Sequence, residues 1–159
     1  MTVRSDPLPV RAPASVRVAT LEDAERIADL SGQLGYPATP EEIVRRLRRL
    51  DGDPQHVVYL AELREGPGAG PVIGWIHVQE CHLVASDLRA EVVGLVIAEG
   101  HRGRGAGRLL MQHAEQWARS RGCREVLLRS NVVRAEAHAF YEKFGYETLK
   151  TQKVFRKFL

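Results

Sequence analysis

Cysteine is scarce in this chain, and Cys81 and Cys123 are the whole supply. They are not spaced as a metal pair and are too few for a disulfide framework, which fits a reducing cytoplasm. Long apolar runs are missing too. None approaches the roughly 18 residues of a membrane span, which excludes an integral membrane protein built on helices. Residues 1–14 carry Pro7, Pro9 and Pro13 among charges and lack the apolar stretch of a signal peptide, so they read as an N-terminal arm. Lysine is confined to Lys143, Lys150, Lys153 and Lys157, leaving arginine to supply most of the positive charge. A net charge of +3 from 23 basic and 20 acidic residues is too balanced to point to nucleic acid.

What remains is ordinary globular material. The 159 residues, 44% hydrophobic and 27% charged, suit one domain, here residues 15–159. Ser15 to Ala19 alternates with the period of a strand. Thr20 caps a helix to about Leu34, with Ala24, Ile27, Ala28 and Leu34 as its apolar stripe. Thr39, Pro40 and Glu42 form a helix start with a capping box. Ile43, Val44, Leu47 and Leu50 give that helix its buried face, and Arg45, Arg46, Arg48 and Arg49 read as its solvated one. Strands follow at His56 to Leu63, Val72 to Glu80 and Glu91 to Ala98, the last interrupted by Gly94. A helix from about Ala106 to Arg121, a strand from Arg124 to Arg129, a helix near Arg134 to Phe144 and a C-terminal strand near Lys150 to Phe158 complete the order. Strands and helices alternate irregularly, which predicts one α/β or α+β domain on a mixed sheet.

The densest chemical signal is His101-Arg102-Gly103-Arg104-Gly105-Ala106-Gly107-Arg108. It follows a strand and opens a helix. Glycines let the backbone approach a ligand, helix-start N–H groups favour an anion, and three arginines add charge for phosphate. A Walker loop is excluded because Ala106 stands where lysine is required. A dinucleotide fingerprint is excluded by Arg108 at the position of its third small residue.

Read as Arg102-x-x-Gly105-x-Gly107, the segment resembles the pyrophosphate-binding signature of the GCN5-related N-acetyltransferase (GNAT) superfamily, here of the bacterial small-acceptor type. Val93-Gly94-Leu95-Val96-Ile97 resembles the family's central strand, and Ala139-Phe140-Tyr141-Glu142-Lys143-Phe144-Gly145-Tyr146 its second hallmark. The resemblance implies a central mixed, mostly antiparallel sheet of six to seven strands flanked by about four helices. It also implies acetyl transfer from acetyl-CoA to a primary amine by direct attack in a ternary complex. A non-catalytic acyl-CoA-binding module on the same fold is the alternative.

Site residues follow from the same resemblance. Arg102, Gly103, Arg104, Gly105, Ala106, Gly107 and Arg108 would bind pyrophosphate, mostly through backbone amides. The backbone of Leu95, Val96 and Ile97 would meet the pantetheine and acetyl groups, with Gly94 marking a local irregularity, and Asn131 would contact the cofactor. Tyr141 resembles the family's general acid. A phenol suits protonation of a departing thiolate because its pKa of about 10 lies near that of an alkyl thiol. Glu91 stands eleven residues before Arg102, a spacing similar to that of GCN5-type histone acetyltransferases, and is the candidate base, with Glu80 and His82 as second choices. The histidines show no ligand spacing, so no metal is expected.

Tyr36, Glu80, His82, Asp87 and Glu91 suggest an acidic, partly aromatic pocket for a cationic amine, whether small molecule or peptide. Val154 and Phe158 alternate with Phe155 and Leu159, placing apolar groups on both faces of the last strand, which suggests a homodimer.

Overall fold

The structure is a computed structural model that describes residues 14–159. Most of the expected N-terminal arm lies outside the described residues. Its last residue, Ala14, instead begins β1 (Ala14–Val18), paired with Leu63. The chain divides after Leu128 into two compact units.

The first unit continues with α1 (Ala24–Leu34), α2 (Pro40–Leu50), β2 (His56–Leu63), β3 (Val72–Leu83), β4 (Ser86–Ile97), α3 (Ala106–Ser120) and β5 (Val126–Leu128). The strands form one sheet in chain order. β1 to β4 are antiparallel neighbours, and β5 joins β4 in parallel. The start of α2 is closed as its sequence predicts. Thr39 Oγ1 accepts from the Glu42 N–H at 3.2 Å, and Glu42 Oε2 accepts from the Thr39 N–H at 2.9 Å.

Cross-strand partners share a face, and the sheet buries both of its faces. On one, Leu60 and Val96 pack with Ala24, Ile27 and Leu30 of α1 and Ile43 of α2. On the other, Ile76 and Val78 are fully buried, as are Leu110, Met111 and Ala114 of α3, which packs on β2, β3 and β4. Arg17 ties the β1 edge to the start of α1. It donates to Asp23 at 2.7 and 2.8 Å and to Glu62 at 2.6 Å, and both carboxylates are nearly buried. The Arg17 guanidinium holds the Asp23 carboxyl below the ordinary carboxylate range.

The second unit holds α4 (Ala135–Lys143), which ends in a turn at Gly145 with φ of 95°. Phe140 stacks on Phe144 at 6.1 Å and Tyr141 meets Tyr146 edge-on at 6.1 Å, so the hallmark aromatics form one local cluster. The four α-helices and the mixed, mostly antiparallel sheet agree with expectation, but the strands among the described residues number five rather than six to seven. Residues 144–159 contain no strand. A strand persists only where a neighbour accepts its ladder, and Val154, Phe155, Phe158 and Leu159 all stand exposed.

Candidate active site

The candidate site of the first unit is built around a defect in β4. The β3–β4 ladder pairs His77 with Gly94 and Val78 with Val92, so Val93 is an extra residue, a β-bulge. Gly94 is required beside it, because a Cβ there would lie 2.6 Å from the ring of Trp75. Pairing of β4 with β5 stops at Val92, whereas pairing with β3 runs on to Ile97. Leu95, Val96 and Ile97 therefore have a strand partner on the β3 side alone within this sheet.

β4 leads through a short 3₁₀ turn, Glu99–His101, into the glycine–arginine loop. The turn is tied to α1 by the Glu99 N–H, which donates to Gln33 Oε1 at 3.1 Å. Arg102 Nε donates to the Ile97 carbonyl at 3.1 Å, folding the loop back on the strand end. Gly103 and Gly105 adopt φ of 71° and 89°, which L side chains rarely adopt, and a Cβ on either would meet nothing within 4 Å. Gly105 caps α3, whose first turn holds no acidic residue. The result is an exposed glycine loop that leads into a helix start, with Arg102, Arg104 and Arg108 in the same stretch. His101 Nδ1 is buried without a hydrogen-bond partner among the described residues. Glycine backbone, cationic surround and an unmatched polar atom fit a pyrophosphate group.

On the α1–α2 face, a cavity of about 470 Å³ is bounded by Ile27, Ser31 and Leu34 of α1, Tyr36, α2, Val58, Trp75, His77 and Val93. The Trp75 Nε1 donor is buried and unmatched. His56 Nδ1 and His77 Nε2 share a hydrogen bond of 3.1 Å. Burial, with His56 alongside, pushes the His77 imidazole down to about 4, so it is neutral at physiological pH.

Glu91 is 7% exposed, opposite Gln79, and therefore shares the sheet face of Trp75 and His77. The Cys81 thiol lies 3.6 Å from its Oε2. The structure thus brings Glu91, Leu95, Val96, Ile97 and the loop from Arg102 to Arg108 onto one strand–loop–helix unit. Asn131 and Tyr141 lie in the second unit. Asn131 Oδ1 accepts from the Val133 N–H at 3.2 Å and helps to form the turn before α4. Tyr141 is half-buried, and desolvation raises its phenol above the ordinary value against the opposing pull of Arg134.

The acidic pocket does not assemble. Of its five expected residues, only Tyr36 lines the cavity. Glu80 accepts from Arg121 at 2.7 Å and meets His82 at 3.1 Å, and Asp87 stands exposed near the start of β4. The cavity wall instead carries Arg46 and Arg49, which sequence reading placed on the solvated face. Both remain exposed, as expected, and they edge the cavity because α2 borders it: Arg46 stands beside Ile43, Leu47 and Leu50 on the i, i+3, i+4, i+7 stripe. No cluster of three His, Cys, Asp or Glu groups is placed to hold a metal among the described residues.

A bulged strand that loses its β5 partner and runs into a glycine-rich helix start is the geometry of the candidate site. Comparison with known proteins makes that specific. The model of the acetyltransferase (GNAT) family matches residues 21–146, and the chain belongs to that family. It is 32% identical over 152 residues to the aminoalkylphosphonate N-acetyltransferase of Salmonella typhimurium, covering 92% of each chain. It is 40% identical over 58 residues to the streptothricin acetyltransferase of Streptomyces lavendulae, covering 36% of this chain and 31% of that one. Among solved structures, the aminoglycoside N-acetyltransferase AAC(6')-Iy in complex with CoA shares the fold with a TM-score of 0.77 at 17% identity, over 95% of this chain and 99% of that one. The chain is an acetyltransferase. No helix among the described residues is long and apolar enough to cross a membrane.

Proposed function

We propose that this protein transfers an acetyl group from acetyl-CoA to the primary amine of a small acceptor, by direct attack in a ternary complex. One observation carries the reading: β4 loses its β5 partner at Val92 and runs directly into the Gly103–Gly105 loop and the start of α3. Acetyl-CoA supplies the thioester, and the chain supplies the seat. Backbone amides of Gly103 to Arg108, with the arginine side chains, hold pyrophosphate, while the backbone of Leu95 to Ile97 pairs with the pantetheine arm. We assign Asn131 a contact to the cofactor.

The acceptor amine is cationic at rest and must lose a proton before it attacks. Glu91, on the cavity's face of the sheet, takes that proton through water. A backbone N–H of β4 polarises the carbonyl oxygen, an effect worth about 3–4 kcal/mol where measured. Tyr141 donates its phenolic proton to the departing sulfur as the carbon–nitrogen bond forms and the carbon–sulfur bond breaks. Its raised pKa keeps that proton in place at neutral pH. A positioned acid or base contributes roughly 10²–10⁴-fold.

The named activities of the Salmonella and Streptomyces relatives support an amine acceptor. The family match over residues 21–146 supports a single N-acetyltransferase domain, taken as residues 15–159. The exposed Val154, Phe155, Phe158 and Leu159 support a homodimer.

The test is thermal stabilisation by CoA, since a ligand that binds the folded state raises its stability with concentration. Wild type should gain stability from millimolar CoA, and the double variant Gly105→Glu, Gly107→Glu should not. A wild type indifferent to CoA contradicts the reading.

A further inference from the structure

The acceptor cavity carries charge of one sign. We propose that the acceptor of this enzyme bears a compact anionic group, a phosphonate, phosphate ester or carboxylate, held by Arg46 and Arg49 while its amine points to the bulge at Val93. This inference rests on the N-acetyltransferase reading and narrows it to a substrate class.

The argument begins on α2. Arg45 and Arg48 sit on the outer side of the helix, where Arg45 lies 3.9 Å from Glu42. Arg46 does not share that side, because it falls within the stripe set by Ile43, Leu47 and Leu50 and lines the cavity with them. Arg49 follows one turn later, between the two sides, and lines both the cavity and the outer groove of Glu41, Arg45 and Arg48. Residues three apart on a helix have Cβ atoms about 5–6 Å apart, so two guanidinium groups reach one tetrahedral or planar oxyanion. Neither arginine has an ion-pair partner among the described residues, and no carboxylate lines the cavity.

Two cations at the edge of an apolar cavity repel a polycationic acceptor and attract an anionic one. The same cavity reaches Val93, the extra residue of β4. One small molecule can therefore span from the arginine rim to the strand proposed to hold the acetyl group. At about 470 Å³ the space lies toward the small end of ligand cavities.

The experiment measures thiol release from acetyl-CoA by the full chain with four amines: 2-aminoethylphosphonate, β-alanine, propylamine and spermidine. Wild type is compared with Arg46→Gln, Arg49→Gln, the double variant, and Arg48→Gln from the outer side. We expect kcat/KM to fall in the order phosphonate, carboxylate, propylamine, with spermidine last. Removing both cavity arginines should cost the phosphonate roughly 10–100-fold, mainly in KM, and leave propylamine within about twofold. Arg48→Gln should leave the order and the rates unchanged. A second readout needs no turnover: 2-aminoethylphosphonate should raise the melting temperature of wild type and not of the double variant. Preference for spermidine or propylamine, or an equal loss for all four amines in the double variant, overturns the proposal and leaves acetyl transfer standing. Thiol release with none of the four, from protein that still binds CoA, refutes the transfer reading and this proposal together.

Discussion

Acidification should weaken this protein well above the pH at which carboxylates titrate, and His77 is the reason. Its imidazole sits beside His56 on the walled-in face of the sheet, and burial holds its pKa at about 4 against an ordinary 6.5. Between those values the unfolded chain binds a proton that the folded chain refuses, so stability falls as pH falls through the window. A full shift of this size corresponds to about 3 kcal/mol at 1.36 kcal/mol per unit. From about pH 7.5 to about pH 5 the linkage relation gives roughly 2 kcal/mol of that loss. For a chain of this length that is about 4–8 °C in melting temperature. Urea denaturation of wild type and His77→Gln across that range isolates the effect, because the other titrating groups cancel in the difference. Wild type should lose about 2 kcal/mol more than the variant. Parallel pH profiles would show that His77 is as free to protonate in the folded state as in the unfolded one, and would refute the argument.

The fold makes further commitments. Gly94→Ala should destabilise by about 1–3 kcal/mol in denaturant, since the new methyl must displace the Trp75 ring. Arg17→Ala should cost about 2 kcal/mol by the same measure, less than for a fully buried pair because the guanidinium is partly exposed, yet it strands Asp23 and Glu62 together. Tyr141→Phe should leave CoA affinity unchanged and lower the single-turnover rate by about 10–10³-fold, and an unchanged rate removes the acid role.

Much of this was legible in the sequence because local chemistry decides it. Thr39, Pro40 and Glu42 fix the start of α2 whatever surrounds them, and the positive φ of Gly103 and Gly105 leaves glycine as the natural choice there. Gly94 announced an irregular strand, and the bulge lies beside it. What was misread depended on distant partners. β3 and β4 form a long hairpin through Leu83 and Ser86, whereas the strands read from the sequence stop at Glu80 and resume at Glu91. Glu80 tolerates its strand position because Arg121, far along the chain, meets it at 2.7 Å. Arg45, Arg46, Arg48 and Arg49 are all exposed, as their polar run suggested, and Arg46 and Arg49 in addition edge the cavity. The C-terminal alternation of Val154, Phe155, Phe158 and Leu159 has the pattern of a strand and no neighbour to complete it. The acidic pocket failed for the related reason that residue type does not tell where side chains converge.

The central claim is that this chain makes an amide from a thioester, and product analysis tests it most directly. Purified protein incubated with acetyl-CoA and a mixture of small primary amines should release free thiol and form an acetylated amine in equal amounts, with both signals lost in the Gly105→Glu, Gly107→Glu variant. Thiol release no faster than in the absence of amine, from protein that CoA stabilises, would mean that the cradle binds without catalysing and would contradict the account.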